Sequence, residues 1–162
     1  MRRLALILAT LLLAFPASAL ASAGAAGDGS LAIASANVRS LVVAGHGLIY
    51  GYVDQGAVTV ISFTPDDSNQ FQISGAAAPT KPVTGGTRYA GGALRFLMSG
   101  TYTLKLEGSG ITVSAVGKGT VTAISLDVLP AGNGTLAVNG GKPQPLSRIQ
   151  SLASFGSTKP GP

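Results

Sequence analysis

The chain has 162 residues, of which 46% are hydrophobic, 10% charged and 6% aromatic, with 23 Gly, 9 Pro and no Cys. Globular chains carry about 25% charged residues, so this one is too sparsely charged for a disordered polyelectrolyte or a coiled coil. The lack of Cys excludes disulfides, thiolate catalysis and Cys-ligated metals, and the length suits one domain with its own core.

The chain opens with Met1-Arg2-Arg3, and residues 4–15 then run without a charge. Pro16 is followed by three small-x-small sites: Ala17-Ser18-Ala19, Ala19-Leu20-Ala21 and Ala21-Ser22-Ala23. That order is the plan of a secretory signal peptide, and its apolar run is too short to span a bilayer. Residues 1–23 are therefore expected to be a signal peptide. The rest is expected to be secreted or associated with the cell envelope, with no transmembrane segment after cleavage.

Two basic residues belong to that leader, which leaves nine (Arg39, Lys81, Arg88, Arg95, Lys105, Lys118, Lys142, Arg148, Lys159) against six acidic ones. None of the nine are adjacent. A nucleic-acid binder gathers its cations into a stripe with aromatic residues between them, so no nucleic-acid partner is expected. An envelope polymer or protein is the partner class that remains.

Beyond the leader the chain reads as strands punctuated by glycine. Residues 101–107 alternate Tyr102, Leu104 and Leu106 with Thr103, Lys105 and Glu107, the pattern of a half-buried strand. Residues 111–116 and 120–128 are rich in Val, Ile and Thr, which suit a pleated surface. Gly108-Ser109-Gly110 and Gly117-Lys118-Gly119 read as tight turns between strands. The spacing of nine or ten residues predicts an all-β sandwich or barrel. The tail, residues 148–162, is expected to be extended or disordered, with a short helix over residues 146–155 as the other reading.

An internal similarity runs through these strands. At an offset of 63, residues 29–63 align without gaps on residues 92–126, and eleven of the 35 positions are identical. Among them are Gly45 with Gly108, Gly47 with Gly110 and Gly56 with Gly119. This predicts two copies, residues 29–91 and 92–147, within a single all-β domain spanning residues 24–147. The domain would be a pseudo-symmetric antiparallel β-sandwich or barrel of about ten short strands: 31–36, 39–44, 48–53, 57–63 and 71–74, then 94–99, 101–107, 111–116, 120–126 and 136–139. A β-solenoid of short rungs is the alternative.

Residues 92–147, with Leu94-Arg95-Phe96, the strand from Gly100 to Leu106 and the run Gly108 to Val121, resemble small exported bacterial proteins built from Gly-x-Gly-strand units. Asn133 to Pro143 is similar to their closing strand. The resemblance implies export and an all-β fold, and no catalytic residues to carry over.

Chemical motifs mostly fail on context. Gly45-His46-Gly47 followed by Gly51 has the glycines of a dinucleotide turn, but Gly56 and the strand pattern of residues 57–63 replace the helix that would hold the pyrophosphate. His46 is the sole histidine and Glu107 the sole glutamate. A hydrolase built on His46 is thus a minor reading, and no metal or cofactor is expected. Asp66-Asp67-Ser68-Asn69 reads as a polar turn.

Tyr50 and Tyr52 share one strand face, with Gly51 between them. They either fill core space or form a platform for stacking against sugars. The connection 76–91, with Lys81, Arg88 and Tyr89, is the other candidate contact surface. Taken together, the sequence predicts a non-catalytic β domain of the cell envelope with a structural or interaction role. A glycan- or lipid-binding module using Tyr50, Tyr52, Lys81, Arg88 and Tyr89 is the alternative.

Overall fold

The computed structural model describes residues 28–66, 71–83, 85–125, 134–146 and 151–156, so the expected signal peptide lies outside the described residues. The protein is all-β: β1 (Gly29–Pro65), β2 (Phe71–Val83), β3 (Gly86–Ser125), β4 (Thr135–Val138), β5 (Gln144–Pro145) and β6 (Ser151–Phe155). Every pairing is antiparallel. The strands run β2-β3-β1-β4-β5 with β6 also on β3, in a sheet that is not closed.

The expected short strands run together. Segments 31–36, 39–44, 48–53 and 57–63 all belong to the 37-residue β1, and 94–99, 101–107, 111–116 and most of 120–126 to the 40-residue β3. The intervening glycines are therefore not hairpin turns. A hairpin folds a strand back onto itself, whereas here pairing with the other long strand continues straight through each glycine.

The register shows what those glycines do. Val43 pairs with Leu104 on one side and Val121 on the other, and Leu104 also pairs with Val60. Val43 and Val60 thus flank one residue, about 10 Å apart across two strand spacings. The seventeen-residue step between them would reach about 55 Å if straight. β1 must therefore come full circle between the two, and β3 follows it in the opposite sense.

The bends fall on two lines that cross the strands. Gly47 pairs with both Gly100 and Gly117, while Gly56 pairs with both Gly91 and Gly108. Gly47, Gly56, Gly100, Gly108 and Gly117 all have φ between +127° and +153°, which side chains rarely adopt. The bent backbones also touch. A Cβ on Gly56 would sit 2.9 Å from Gly108 Cα and run into the Glu107 carbonyl oxygen, and one on Gly117 would sit 3.0 Å from Gly47 Cα.

These corners follow one another along β1 at positions 29, 38, 47, 56 and 65, a nine-residue step. The offset of 63 is a sevenfold multiple of that step. At this offset Leu31 and Leu94, Ile33 and Phe96, Leu41 and Leu104, Val43 and Leu106, and Val58 and Val121 keep the same buried face, whereas Leu48 is 40% exposed opposite buried Ile111 and Tyr50 is exposed opposite buried Val113.

Inward-facing residues of every turn share one core: Leu31, Ile33, Val43, Ile49, Val53 and Val58 from β1, and Leu94, Met98, Tyr102, Leu104, Ile111 and Val113 from β3. Phe63 and Phe71 stack at 5.4 Å where β2 leaves the sheet edge, with Tyr89 6.3 Å beyond. At the other end Leu146 and Phe155 are buried, against partly buried Leu136, Val138 and Ala153.

Within the expected disordered tail or short helix, the described residues 151–155 take a different course, and residues 147–150 and 157–162 lie outside the described residues. Residues 151–155 form β6 on β3, because Phe155 has a core site to fill and Asn139 Oδ1 accepts a 2.9 Å bond from the Gly156 amide. The 76–91 segment likewise is not a loop: β2 and β3 pair across it from Ala76–Gly91 to Val83–Gly86.

Gly56→Ala combines left-handed strain with a backbone collision, each costing about 1–3 kcal/mol, so the variant is expected to lose about 3 kcal/mol or more. Urea denaturation measures it. A loss below about 1 kcal/mol would mean that the corner tolerates a side chain.

Candidate functional site

Alternation along β1 decides the face of each tyrosine. Ile49 and Val53 are buried, so Leu48, Tyr50 and Tyr52 point the other way, and Tyr50 is 38% exposed. Of the two readings of this pair, core filling therefore falls away. Gly51 takes an inward position without filling it. A Cβ there would lie 2.5 Å from the Phe96 ring and 2.6 Å from the Thr112 carbonyl oxygen, so Phe96 occupies the space a side chain would need.

Tyr50 pairs with Leu97 and Ser114, and Tyr52 with Arg95 and Thr112. Together with Gly51 and Phe96, the two tyrosines, Arg95, Thr112 and Ser114 line a concavity of about 550 Å³. The Tyr52 hydroxyl donates to Asp54 Oδ1 at 3.2 Å. Partial desolvation, then the Asp54 bond and charge, raise the Tyr52 phenol above its ordinary pKa, while the Arg95 charge opposes them. The bond to Asp54 orients the Tyr52 hydroxyl. The site offers two aromatic rings, two aliphatic hydroxyls and one guanidinium, a set suited to binding and holding no nucleophile–base pair.

The remaining residues singled out from sequence lie elsewhere. Arg88 pairs in register with Thr59 and Thr80, well removed from Tyr52 and its partners Arg95 and Thr112. Its guanidinium donates to Glu107 at 3.3 Å, and Lys105 Nζ lies 2.6 Å from the same carboxylate. The Lys105 hydrogen bond holds the Glu107 carboxyl below the usual range, with help from Arg88 and against a push from partial burial. Tyr89 belongs to the aromatic cluster with Phe71. Lys81 stands in β2, and its side chain lies outside the described residues.

His46 is an exposed strand residue rather than a turn residue. Its Nδ1 lies 3.1 Å from Thr101 Oγ1 and 3.8 Å from Asp66 Oδ1. A catalytic relay needs the hydroxyl and the carboxylate on different ring nitrogens, whereas here both face the same one. Of the polar turn only Asp66 is described, and no group of three metal-ligating side chains occurs among the described residues.

Sequence reasoning missed Arg95, Thr112 and Ser114. They come from three different positions of β3, and only the double register of β1 against β3 brings them beside the tyrosines. No signal in the linear sequence fixes that register. Tyr102 lies on the buried face that alternation predicts, and its hydroxyl is buried without a hydrogen-bond partner among the described residues. Burial pushes that phenol far above its ordinary pKa.

Compared with known proteins, the chain matches no protein-family model, no curated protein and no solved structure. Among the described residues no helix is long and apolar enough to cross a membrane.

A buried hydroxyl without a partner costs about 1–3 kcal/mol, so Tyr102→Phe is expected to match or exceed wild-type stability. The folded phenol resists ionisation, so the wild type should also lose stability above about pH 10, where the unfolded phenol ionises, and the variant should lose less. A variant destabilised by more than about 1 kcal/mol would show that the hydroxyl has a partner.

Glu107, with its depressed pKa, contributes above its unfolded pKa and loses that contribution as pH falls through the folded one. At pH 7 Glu107→Gln should cost about 0.5 kcal/mol, as partly exposed pairs do. Denaturation at pH values stepped down from 7 should find the gap closing as the folded carboxyl takes up its proton; a gap that stays constant down to about pH 2 would exclude the ion pairs as its source.

Proposed function

We propose that this protein is a non-catalytic binding domain that acts outside the cytoplasm and holds a glycan of the cell envelope on its Tyr50–Tyr52 face. The carrying observation is that both tyrosines stand on the outer side of β1 around one concavity, although packing gives them no reason to be there. Exposed aromatic rings spend contact area on water unless something covers them, and they stack well on the apolar faces of sugars. Two residues of strand separate the tyrosines by about 7 Å, which suits neighbouring rings of a chain.

Thr112, Ser114 and the tyrosine hydroxyls offer hydrogen bonds that an acyl chain would leave unmade, which favours a glycan over a lipid. The leader of residues 1–23 supports export. In this reading the coiled pair of long strands flattens at its glycine corners into a sandwich, one face of which carries the site.

The test is the double variant Tyr50→Ala/Tyr52→Ala, purified without the leader and applied to immobilised cell-wall polysaccharide. Far-UV circular dichroism and melting should match the wild type, while retention falls at least about tenfold, since aromatic anchors at binding sites commonly contribute 1–2 kcal/mol each. Unchanged retention, or loss of the fold, would overturn the reading.

A further inference from the structure

The Tyr50–Tyr52 concavity has one charged lining residue, Arg95, and its charge is positive. Arg95 faces Tyr52 across a register pair, so its guanidinium stands beside the ring that would stack on a sugar. Three ion pairs are found among the described residues, His46–Asp66, Arg88–Glu107 and Lys105–Glu107, and Arg95 belongs to none of them. The nearest acid along the strand, Asp54, accepts the Tyr52 hydroxyl and does not line the concavity. Ser114 and Thr112, on the opposite side of the tyrosines, are neutral.

A guanidinium next to an aromatic ring, with its planar donors uncommitted, matches one negative group carried on a stacked ring. Resting on the glycan reading above, we propose that the ligand is an anionic glycan, whose rings cover Tyr50 and Tyr52 and whose acidic group is held by Arg95. The single cation implies recognition of a spaced charge on each sugar unit. A densely charged polyanion would call for a cluster of cations, and the basic residues of this chain are scattered.

The test uses the leaderless protein and three soluble probes in calorimetric titration: a galacturonic acid hexamer, the same hexamer fully methyl-esterified, and a phosphate-bearing oligomannose. One acidic probe or the other should bind about tenfold or more tighter than the ester, the worth of a charge-assisted hydrogen bond, with an advantage that shrinks as salt rises. Arg95→Gln should remove that advantage, so that the variant no longer distinguishes acid from ester. Equal binding of acid and ester, or an acid preference that survives in Arg95→Gln, would overturn the anionic assignment while the glycan reading stands. If none of the probes bind and the protein is also not retained on cell-wall polysaccharide, both readings fall.

Discussion

Paired backbones can approach this closely at a bend only where at least one of them lacks a side chain. That is the constraint on which this fold depends. At Gly56–Gly108 and Gly47–Gly117 the paired strands bend together, and each α-carbon occupies the place where the other's Cβ would project. The positive φ at these positions turns both chains in the same sense, so β1 and β3 keep their ladder while the ribbon changes direction. Because the bends recur about every nine residues, each strand circles back beside itself, and nearly every residue of the middle turns gains a hydrogen-bonded neighbour on both sides. The composition follows from this. Glycine is abundant because corners need it, and charge is scarce because alternate residues face one enclosed core.

A coil of this kind leaves the outer face unconstrained. Inward positions are committed mostly to Leu, Ile, Val, Met and Phe, and the core is completed by partly buried Phe63 near β2 and by Leu146 and Phe155 near β4 and β6, while exposed Phe71 packs on Phe63 at the edge. Outward positions answer only to solubility and function. Many of them hold Ser, Thr or small residues, but Leu48, Ile61, Leu97 and Ile124 are about as exposed as Tyr50, and what sets Tyr50 and Tyr52 apart is that their aromatic rings line the concavity. Gly51 sharpens the contrast: Phe96 fills the interior beneath it, and the space between the tyrosines stays shallow and open. In the proposed reading, binding and folding fall to opposite sides of the same strand.

The all-β class was legible from alternation and β-branched residues, because period-two patterning is a local property of the chain. Strand continuity was not. Gly47 and Gly56 carry the signature of hairpin turns, and whether a glycine reverses a chain or merely bends it depends on the partner strand. The nine-residue spacing and the offset of 63 were both visible, and an offset of seven corner steps brings glycine onto glycine as well as one step does. Tyr50 and Tyr52 were recognised from shared parity alone. Core filling and stacking both stayed open for them: at the offset of 63 their counterparts Val113 and Ala115 are buried, and the exposure of Leu48 opposite buried Ile111 shows where that comparison loses phase. Arg88 and Tyr89 looked like loop residues because Pro79, Pro82, Gly85 and Gly86 cluster nearby. In the fold they are strand residues, engaged with Glu107 and Phe71.

The claim that ligand recognition lies wholly on the outer side of β1 is tested most directly by heteronuclear NMR of the isotopically labelled leaderless protein, titrated with galacturonic acid hexamer. The account predicts shift changes concentrated at Tyr50, Gly51, Tyr52, Arg95, Thr112 and Ser114, with the core signals of Leu104, Ile111 and Val121 unmoved. Changes centred on Arg88, Tyr89 and Glu107, or spread through the core, would contradict it.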